Sequence, residues 1–407
     1  MLTKLRRTYE EYPKQFWLVA FGVLLSSAGS SLIWPFQLIY ISKTLTLPIS
    51  AVATLISISS ATGLIASLMG GTIADKLGRK PIMFAAQAAH GLAYLLMSQA
   101  RSYIGFAIPM TIMGAAMPFY SIGSDAMMAD LIPSEKRTSA FAILRMINNA
   151  GIAIGPAIGG LIVAQSYSLA FYLAAGGMIA YSLLLLTSAR ETLQHHSTPS
   201  ISPKKETLGG YGQVFGNRSF MAFVMTVTIG MIGPLMMWIL LAVYINRYYG
   251  VPEYLYSWMP VTNALMCVFV QYPVTMFTRR LPAKNAITLG MFIYALGVGS
   301  VALMTNFWGF WLSMVIMSFG ELILVPTGSK YVADIAPENL RGRYMSIYWL
   351  TWGVARAAAP MVGGYLHDAI APQAIWWGGL AIGLASTLGL FLLSQRPENP
   401  PAANAPT

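Results

Sequence analysis

The sequence predicts an all-α polytopic membrane protein with twelve transmembrane helices, arranged as two pseudo-symmetric six-helix bundles. Three observations predict this fold class. The chain is far more apolar than a soluble protein, with a mean hydropathy of +0.60. It contains twelve apolar runs of about twenty residues. Its second half also repeats features of its first half at a constant separation of 204 residues.

The composition excludes most soluble classes. Of the 407 residues, 56% are hydrophobic and 10% are charged, whereas soluble domains carry about a quarter charged residues. A surface this apolar must be covered by lipid. The net charge of +11 does not indicate nucleic-acid binding, because most basic residues lie in short loops between apolar runs. Cys267 is the single cysteine, which excludes disulfide frameworks and thiolate metal clusters.

Each apolar run is long enough to cross the hydrocarbon core of a bilayer as a helix. We number the predicted spans 1 to 12 in chain order. In the first half they cover 16–40, 50–71, 81–99, 103–131, 138–164 and 168–188. In the second half they cover 219–246, 255–277, 285–304, 307–335, 342–367 and 372–394.

The basic residues predict the direction of the spans. With the N-terminus in the cytoplasm, nineteen of the 25 lysines and arginines fall in cytoplasmic segments. Lys43, Arg101 and Arg247 fall in outer loops, and the remaining three lie inside predicted spans. Because cytoplasmic loops carry an excess of Lys and Arg, both termini are predicted to be cytoplasmic.

An internal repeat divides the chain into two halves of equal orientation, since six spans return the chain to its starting side. Asp130, Pro156 and Gly160 recur 204 residues later as Asp334, Pro360 and Gly364. The predicted organisation is a bundle at 1–188, a cytoplasmic linker at 189–218, a second bundle at 219–395 and a cytoplasmic tail at 396–407. Two such halves can enclose a pocket that opens alternately to each side of the membrane. The alternative is a static helical bundle.

The loop after span 2 carries a specific motif. It reads G-T-I-A-D-K-L-G-R-K and contains Gly71, Asp75, Lys76, Gly78, Arg79 and Lys80. It resembles the signature G-x-x-x-D-[RK]-x-G-[RK]-[RK] of the major facilitator superfamily, whose fold has two six-helix halves. The resemblance implies a cytoplasmic gate in which Asp75 and Arg79 meet Asp130 at the end of span 4. The alternative for Arg79 and Lys80 is ordinary anchoring at the head groups.

Span 5 carries a second motif with the residues Gly151, Gly155, Pro156, Gly159 and Gly160. It resembles G-x-x-x-G-P-x-x-G-G of the twelve-span drug–proton antiporters in that superfamily. The longer family form has a further glycine where this chain has Ala142. Glycines at this spacing let a neighbouring helix approach closely, and Pro156 bends its helix. The alternative is generic packing of small residues.

Charged residues inside the bilayer need a partner or a function. Glu321 lies twelve residues after Gly309, about 18 Å into span 10, and Arg356 lies at similar depth in span 11. We expect Glu321 to bind and release a proton, with Arg356 in reach; a permanent ion pair is the alternative. Asp125 and Arg145 form a second candidate pair, either proton-linked or structural.

The resemblance implies that spans 1, 4, 7 and 10 line the substrate cavity. Aromatic and thioether side chains there suit amphipathic or cationic molecules, whereas a sugar site needs more directional polar groups. The candidate cavity residues are Trp34, Gln37, Met117, Tyr120, Asn149, Met236, Trp238, Asn263, Gln271 and Met317.

These features predict a secondary active transporter and not an enzyme. The resemblance favours a proton-coupled exporter of amphipathic drugs or lipophilic metabolites in a bacterial inner membrane. A symporter or uniporter for a specific metabolite, sugar or lipid is the first alternative, and a non-transporting receptor or scaffold is the second. The sequence contains no G-x-x-x-x-G-K-[ST] loop, so ATP-driven transport is not supported. The expected partners are a small molecule, protons and the lipid bilayer, with no cofactor, metal or nucleic acid, and a monomer is expected.

Overall fold

A computed structural model describes residues 10–193, 209–337 and 340–395. The middle of the predicted linker, at 194–208, and the tail at 396–407 lie outside the described residues. Within the described ranges, the regular structure is helical and contains no strand. Helices cover all twelve predicted spans, and a short additional helix, Gly209–Gly216, lies in the linker.

The spans of the first half are helical over nearly their whole predicted lengths. Span 1 consists of Lys14–Ile33, a 3₁₀ turn at Trp34–Phe36 and Gln37–Thr44. Spans 2 to 6 are Ile49–Leu77, Arg79–Gln99, Tyr103–Leu131, Ser134–Gln165 and Tyr167–Ser188.

The spans of the second half follow the same order. Span 7 is Arg218–Tyr249, and span 8 is divided into Glu253–Tyr256, Trp258–Phe269 and Gln271–Thr278. Spans 9 to 12 are Ala283–Ser300 with a 3₁₀ turn at Val301–Leu303, Phe307–Ile335, Arg341–Ala369 and Ala374–Ser394.

Nine helices of the described residues are long and apolar enough to cross a membrane, or ten if the bent span 8 is counted. Spans 3 and 11 fall outside this set. Span 8 was expected to be one helix, but its two longer parts are bent by 57° at a break of one residue, Val270. Pro273 lies near this break and cannot donate a backbone hydrogen bond to the residue four positions earlier, which weakens the helix there.

Local sequence explains where several spans begin. Ser102, Ser166 and Asn306 each precede the first helical residue, and each side chain accepts a hydrogen bond from a backbone N–H three residues later. Side-chain oxygens at this position satisfy one of the free N–H groups of a helix start. The starts of spans 4, 6 and 10 are therefore fixed by capping residues.

The chain forms two compact units. Unit 1 comprises the described parts of Met1–Leu47, Thr54–His195 and Gly250–Ala264, and unit 2 those of Pro48–Ala53, His196–Tyr249 and Leu265–Thr407. Each unit thus includes a short segment from the other half of the sequence. The first turn of span 2 belongs to unit 2, and the first part of span 8 belongs to unit 1.

Close helix crossings within each unit use glycines. In unit 1, a Cβ at Gly63 of span 2 would lie 3.1 Å from the carbonyl oxygen of Gly114 in span 4. In unit 2, a Cβ at Gly320 of span 10 would lie 2.7 Å from the backbone nitrogen of Tyr294 in span 9. Small residues allow helix backbones to approach each other in membranes, so these positions set the helix packing on which the candidate site depends.

Candidate functional site

The motif after span 2 forms a charged cluster in unit 1. Arg79 Nη1 lies 2.8 Å from Asp75 Oδ1, and Arg79 Nε lies 3.4 Å from Asp130 Oδ2 at the end of span 4. Arg79 Nη1 also donates to the carbonyl of Ala74 at 2.8 Å. Gly78 has a φ of 99°, a conformation that glycine adopts without the steric cost paid by other residues. The turn therefore returns Arg79 toward both carboxylates.

The other motif residues have different surroundings. Lys80 Nζ donates to the carbonyl of Leu186 at 2.8 Å, which joins span 3 to the end of span 6. Lys76 is exposed. A Cβ on Gly71 would meet nothing within 4 Å, so close packing within the described residues does not explain the glycine there.

Glu191 is a member of this cluster that the sequence analysis missed. Its two carboxylate oxygens accept the backbone N–H groups of Arg79 and Lys80, each at 3.0 Å. These are the first two residues of span 3, where N–H groups lack helical partners and favour a negative charge. The neighbouring Thr192 donates to Asp130 Oδ2 at 3.0 Å. The segment after span 6 thus binds two parts of the cluster.

Hydrogen bonding changes the pKa of Glu191. Burial raises the pKa of its carboxyl, but backbone N–H donors, including those of Leu193, Arg79 and Lys80, outweigh this and hold the pKa below its ordinary value. The carboxylate is therefore ionised at neutral pH. A signal existed in the sequence, since Glu191 follows Arg190 directly after an apolar span, but nothing local pairs it with span 3.

The described residues of the second repeat form no equivalent cluster. The position of Arg79 is Ala283 in the repeat, and that of Glu191 is Gln395. Asp334, the counterpart of Asp130, instead forms an ion pair with Lys330 one turn earlier on its own helix. The charged cluster is therefore a property of unit 1.

Most of the span 5 motif faces span 1. A Cβ on Gly151 would lie 2.9 Å from the nitrogen of Ala28, and one on Gly155 would lie 2.8 Å from the carbonyl oxygen of the same residue. A Cβ on Gly159 would lie 2.9 Å from the carbonyl carbon of Leu32. Three glycines on one helix face therefore bring spans 1 and 5 into backbone contact.

The last glycine of the motif has a different neighbour. A Cβ on Gly160 would lie 2.7 Å from Ser257 Cβ and 3.1 Å from Tyr254 Cα. Both residues belong to the part of span 8 that lies in unit 1. Pro156 is buried.

An ion pair between a buried carboxylate and an exposed lysine lies beside this contact in unit 1. Glu253, at 7% exposure, accepts a hydrogen bond from Tyr167 at 2.7 Å and pairs with Lys43 at 2.5 Å. Lys43 also lies over the ring of Tyr167, 5.7 Å from its centroid. Lys43 was predicted to lie in an outer loop, and its pairing with Glu253 was not predicted, because the two residues are 210 positions apart.

The four charged residues predicted inside spans lie in unlike surroundings. Asp125, Arg145 and Arg356 are exposed, and the ion pairs of the described residues include neither arginine. Glu321 is half-buried and interacts electrostatically with Tyr294 of span 9. The contact of Glu321 with Arg356 stays a prediction. Span 10 packs on span 9 through Gly320, the residue before Glu321.

Next to Glu321, a neighbouring span supplies a hydrogen bond that span 10 cannot make itself. Pro326 has no N–H to donate to the carbonyl of Leu322, four residues earlier. Gln271, the first residue after the break in span 8, donates to that carbonyl at 2.9 Å and to Thr275 Oγ1 at 3.0 Å. The break thus places the polar side chain of Gln271 against the turn of span 10 that contains Glu321.

Several predicted cavity residues are buried by packing within their own unit. Met236 and Met317 have 0% exposure, Met236 beneath Gly363 and Met317 against Gly297. Gln37 is 7% exposed and donates to Met97 and Met110 sulfurs at 3.4 and 2.8 Å. These three residues contact neighbouring spans, and their place in a substrate cavity stays a prediction.

The other candidates vary in exposure. Met117, at 62% exposure, and Asn149 are exposed. Tyr120 is half-buried, and its hydroxyl lies 3.1 Å from that of Tyr181. Trp34, Trp238 and Gln271 are half-buried, and Asn263 is buried. Among these candidates, the exposed residues Met117 and Asn149 lie on spans 4 and 5, on which Asp125 and Arg145 are also exposed.

Comparison with known proteins identifies similar chains. A family model described as Major Facilitator Superfamily matches residues 19–243 and 235–407. The Na(+), Li(+), K(+)/H(+) antiporter of Planococcus maritimus is 24% identical over 387 residues, covering 88% of each chain. The multidrug resistance protein MdtH of Yersinia enterocolitica is 23% identical over 336 residues, covering 80% of each chain. The crystal structure of nucleoside transporter NupG superposes with a TM-score of 0.79 at 13% identity, covering 95% of this chain and all of the other.

Proposed function

From the premise that this chain belongs to the Major Facilitator Superfamily and is a multi-pass membrane transporter, we propose that it is a proton-coupled exporter of amphipathic or cationic compounds. It works by alternating access in a bacterial inner membrane, with both termini in the cytoplasm. The nineteen basic residues on the predicted cytoplasmic side support the orientation. The multidrug resistance relative supports the substrate class.

One observation carries the proposal: a half-buried carboxyl group, Glu321, lies inside span 10 beside the break in span 8. An acid at this depth is costly unless it serves ion movement or is paired. Gln271 donates a hydrogen bond to the carbonyl of Leu322, the residue after Glu321. A change in the bend of span 8 therefore alters the surroundings of Glu321. Proton binding at Glu321 is thereby coupled to the shape of unit 2.

The charged cluster of unit 1 supplies the gate. Arg79 links span 3 to Asp75 and Asp130, and Glu191 adds the segment after span 6. With four segments joined, the predicted cytoplasmic end of unit 1 moves as one body. We therefore assign Asp75, Arg79, Asp130 and Glu191 to the cytoplasmic gate.

Exposed residues on spans 4 and 5 are the candidates for substrate contact. Met117 offers a flexible thioether, Asn149 a polar amide and Asp125 a negative charge, and all three are exposed. Such a set suits an apolar cation more than a sugar, which needs several directional partners. Asp125 then attracts the cation, and the positive charge of Arg145 opposes the binding of a more highly charged cation.

Transport into inverted membrane vesicles tests the proposal. Vesicles containing the protein, Glu321→Gln or Glu321→Asp receive a fluorescent lipophilic cation with or without an imposed proton gradient. We expect gradient-dependent uptake by the wild-type protein, loss of that dependence in Glu321→Gln and partial retention in Glu321→Asp, which keeps a carboxyl group. Uptake unaffected by the gradient, or unchanged in Glu321→Gln, contradicts the proton role.

The same vesicles separate the alternatives. A symporter or uniporter for one metabolite transports that polar solute and not the cation, and a scaffold transports nothing. An arm with sodium, lithium or potassium is included because one relative bears the name of an antiporter for these ions. Alkali-cation exchange without movement of the fluorescent cation assigns the chain to ion antiport.

A further inference from the structure

A chain of hydrogen bonds lies at the predicted outer end of unit 2, away from every motif discussed above. His367, near the end of span 11, is 9% exposed. Its Nε2 lies 2.7 Å from the hydroxyl of Tyr248 in span 7, and its Nδ1 lies 2.6 Å from Asp368 Oδ1. Both ring nitrogens of this imidazole are therefore engaged.

The other oxygen of Asp368 binds a helix start. Asp368 Oδ2 accepts the backbone N–H of Ser50 at 2.9 Å, and Ser50 is the second residue of span 2. Free N–H groups at a helix start favour a carboxylate. Pro48–Ala53 belongs to unit 2, whereas the rest of span 2 belongs to unit 1. Asp368 thus holds the one turn of span 2 that lies in unit 2.

This arrangement accommodates a proton on His367 without moving a heavy atom. In the neutral imidazole, Nδ1–H donates to Asp368, and Nε2 accepts from the Tyr248 hydroxyl. When a proton from water binds Nε2, the nitrogen becomes a donor to the Tyr248 oxygen, and the tyrosine hydrogen turns to another acceptor. Tyr248 is 42% exposed, so water can serve as that acceptor.

The charges around His367 come from few elements. Asp368 follows it on span 11, and Tyr248 faces it from span 7, with the Arg247 guanidinium 6.0 Å from the Tyr248 ring centroid. The first turn of span 2, Pro48–Ala53, and span 12, Ala374–Ser394, contain no titratable side chain. Asp368 is therefore the charge in direct contact with the imidazole, and Arg247 is the nearby cation.

We propose that His367, Tyr248 and Asp368 form a proton-binding site on the outer side, and that its occupancy controls the hold of Asp368 on the first turn of span 2. A proton on His367 places a positive charge beside the Asp368 carboxylate, where it competes with the N–H of Ser50 for that carboxylate. Acid outside therefore promotes release of the first turn of span 2.

This inference rests on the proposed function only in treating the release of span 2 as a step of transport. The binding of a proton to His367 does not depend on Glu321. Acidification of the outside is expected to increase the released fraction several-fold.

Nuclear magnetic resonance detects the proton directly. Full-length protein with ¹⁵N-labelled histidine in lipid nanodiscs is titrated from about pH 8 to about pH 5, the range in which imidazoles change charge. The His367 signal is assigned by its absence in His367→Gln. We expect the signal to respond to pH in the wild-type protein, and we expect this response to change in Asp368→Asn, because the facing negative charge is lost. A signal that does not titrate, or an unchanged midpoint in Asp368→Asn, overturns the site.

A labelling experiment tests the release. Ile49 is 2% exposed beside Ser50, so Ile49→Cys in a Cys267→Ser background reports exposure of the turn to a membrane-impermeant maleimide. Leu303→Cys in the same background provides the chemical reference, since Leu303 is 66% exposed. We expect the labelling ratio of the two cysteines to rise several-fold, up to about tenfold, as the outer pH falls from about 8 to about 5. The added His367→Gln substitution should make the ratio independent of pH.

Two outcomes decide between the site and general misfolding. If His367→Gln fails to yield a folded protein, Tyr248→Phe replaces it, since this variant keeps the imidazole but removes the acceptor for the Nε2 proton and should lower the midpoint. A pH-dependent ratio that persists in His367→Gln overturns the control of release. Loss of cation transport with a normal His367 titration contradicts the proposed function and leaves this site intact.

Discussion

Gly364 of span 11 packs directly against the backbone of Ser50, so that a Cβ on Gly364 would lie 2.6 Å from Ser50 Cα. The same relationship holds in unit 1, where a Cβ on Gly160 would lie 3.1 Å from Tyr254 Cα. Both the glycines and their partners are 204 residues apart, the separation of the internal repeat. The repeat therefore preserves a glycine at the crossing where each unit takes in a turn from the other half of the chain.

The first prediction concerns these glycines. Gly364→Ala should destabilise the protein by about 1–3 kcal/mol, because the added methyl meets backbone that cannot rotate away. Gly160→Ala should act in the same direction. Gly176→Ala on span 6 is the matched control, since a Cβ there meets nothing within 4 Å and Ala favours a helix by up to about 1 kcal/mol. Thermal unfolding followed by tryptophan fluorescence measures all three, and equal melting temperatures for Gly364→Ala and Gly176→Ala would contradict the crossing.

The second prediction concerns the hydrogen bond from Gln271 to Leu322. Gln271→Leu should destabilise unit 2, because Pro326 leaves the carbonyl of Leu322 without an intrahelical donor. In a Pro326→Ala background the helix supplies its own N–H, and the same substitution should cost less. Polar interactions between membrane helices contribute on average about 0.6 kcal/mol, so a coupling energy of about that size or somewhat larger is expected.

A double-mutant cycle measures this coupling. Reversible unfolding is followed for the wild-type protein, both single variants and the double variant, and the difference isolates the pairwise contribution. Thr275→Val serves as a control, because it removes the other acceptor of Gln271 without touching span 10. Additive effects of Gln271→Leu and Pro326→Ala would show that the proline does not create the need for the glutamine.

The sequence predicted helix positions well and side-chain directions poorly, for one physical reason. Twelve spans could be located because crossing the bilayer core requires an uninterrupted apolar run. A helix that is apolar on all sides carries no periodic signal for which face is inside. The assignment of Met236 and Met317 to a cavity therefore depended on the family resemblance alone, and both residues have 0% exposure.

Contacts between distant segments were predictable only where a motif named both partners. Asp75, Arg79 and Asp130 were linked through a family resemblance, and the distances bring them together. Glu191 was missed because no spacing in the sequence pairs an acid after span 6 with the start of span 3, 112 positions earlier. The break of span 8 was missed because proline is tolerated inside many transmembrane helices.

The third prediction concerns the pH dependence of Glu191. Its pKa is held below the ordinary value in the folded protein, so ionised Glu191 contributes stability at pH values above its ordinary pKa of about 4.3. This contribution is lost as the pH falls through the lowered folded-state pKa. Glu191→Gln should therefore be less stable than the wild-type protein at pH 7, and the two should converge below about pH 4.

Melting temperatures between about pH 7 and about pH 3.5 test this convergence. Glu11→Gln is the control, because Glu11 forms an exposed pair with Lys136 at 3.1 Å and such pairs contribute little. A constant difference between wild-type protein and Glu191→Gln over the whole range would mean that the charge of Glu191 is not what binds the start of span 3.

The fourth prediction concerns the pair formed by Lys43 and Glu253. Lys43→Met should destabilise unit 1, because Glu253 then stays buried with its negative charge, and the Tyr167 hydroxyl still donates to it. The effect should be about 1–2 kcal/mol and below that of a fully buried pair, since the Lys43 side chain is 52% exposed. Adding Glu253→Gln removes the uncompensated charge, so the double variant should be more stable than Lys43→Met alone. Chemical unfolding of the three variants measures this order, and a double variant less stable than Lys43→Met would show that Glu253 is held by its other contacts and not by the lysine.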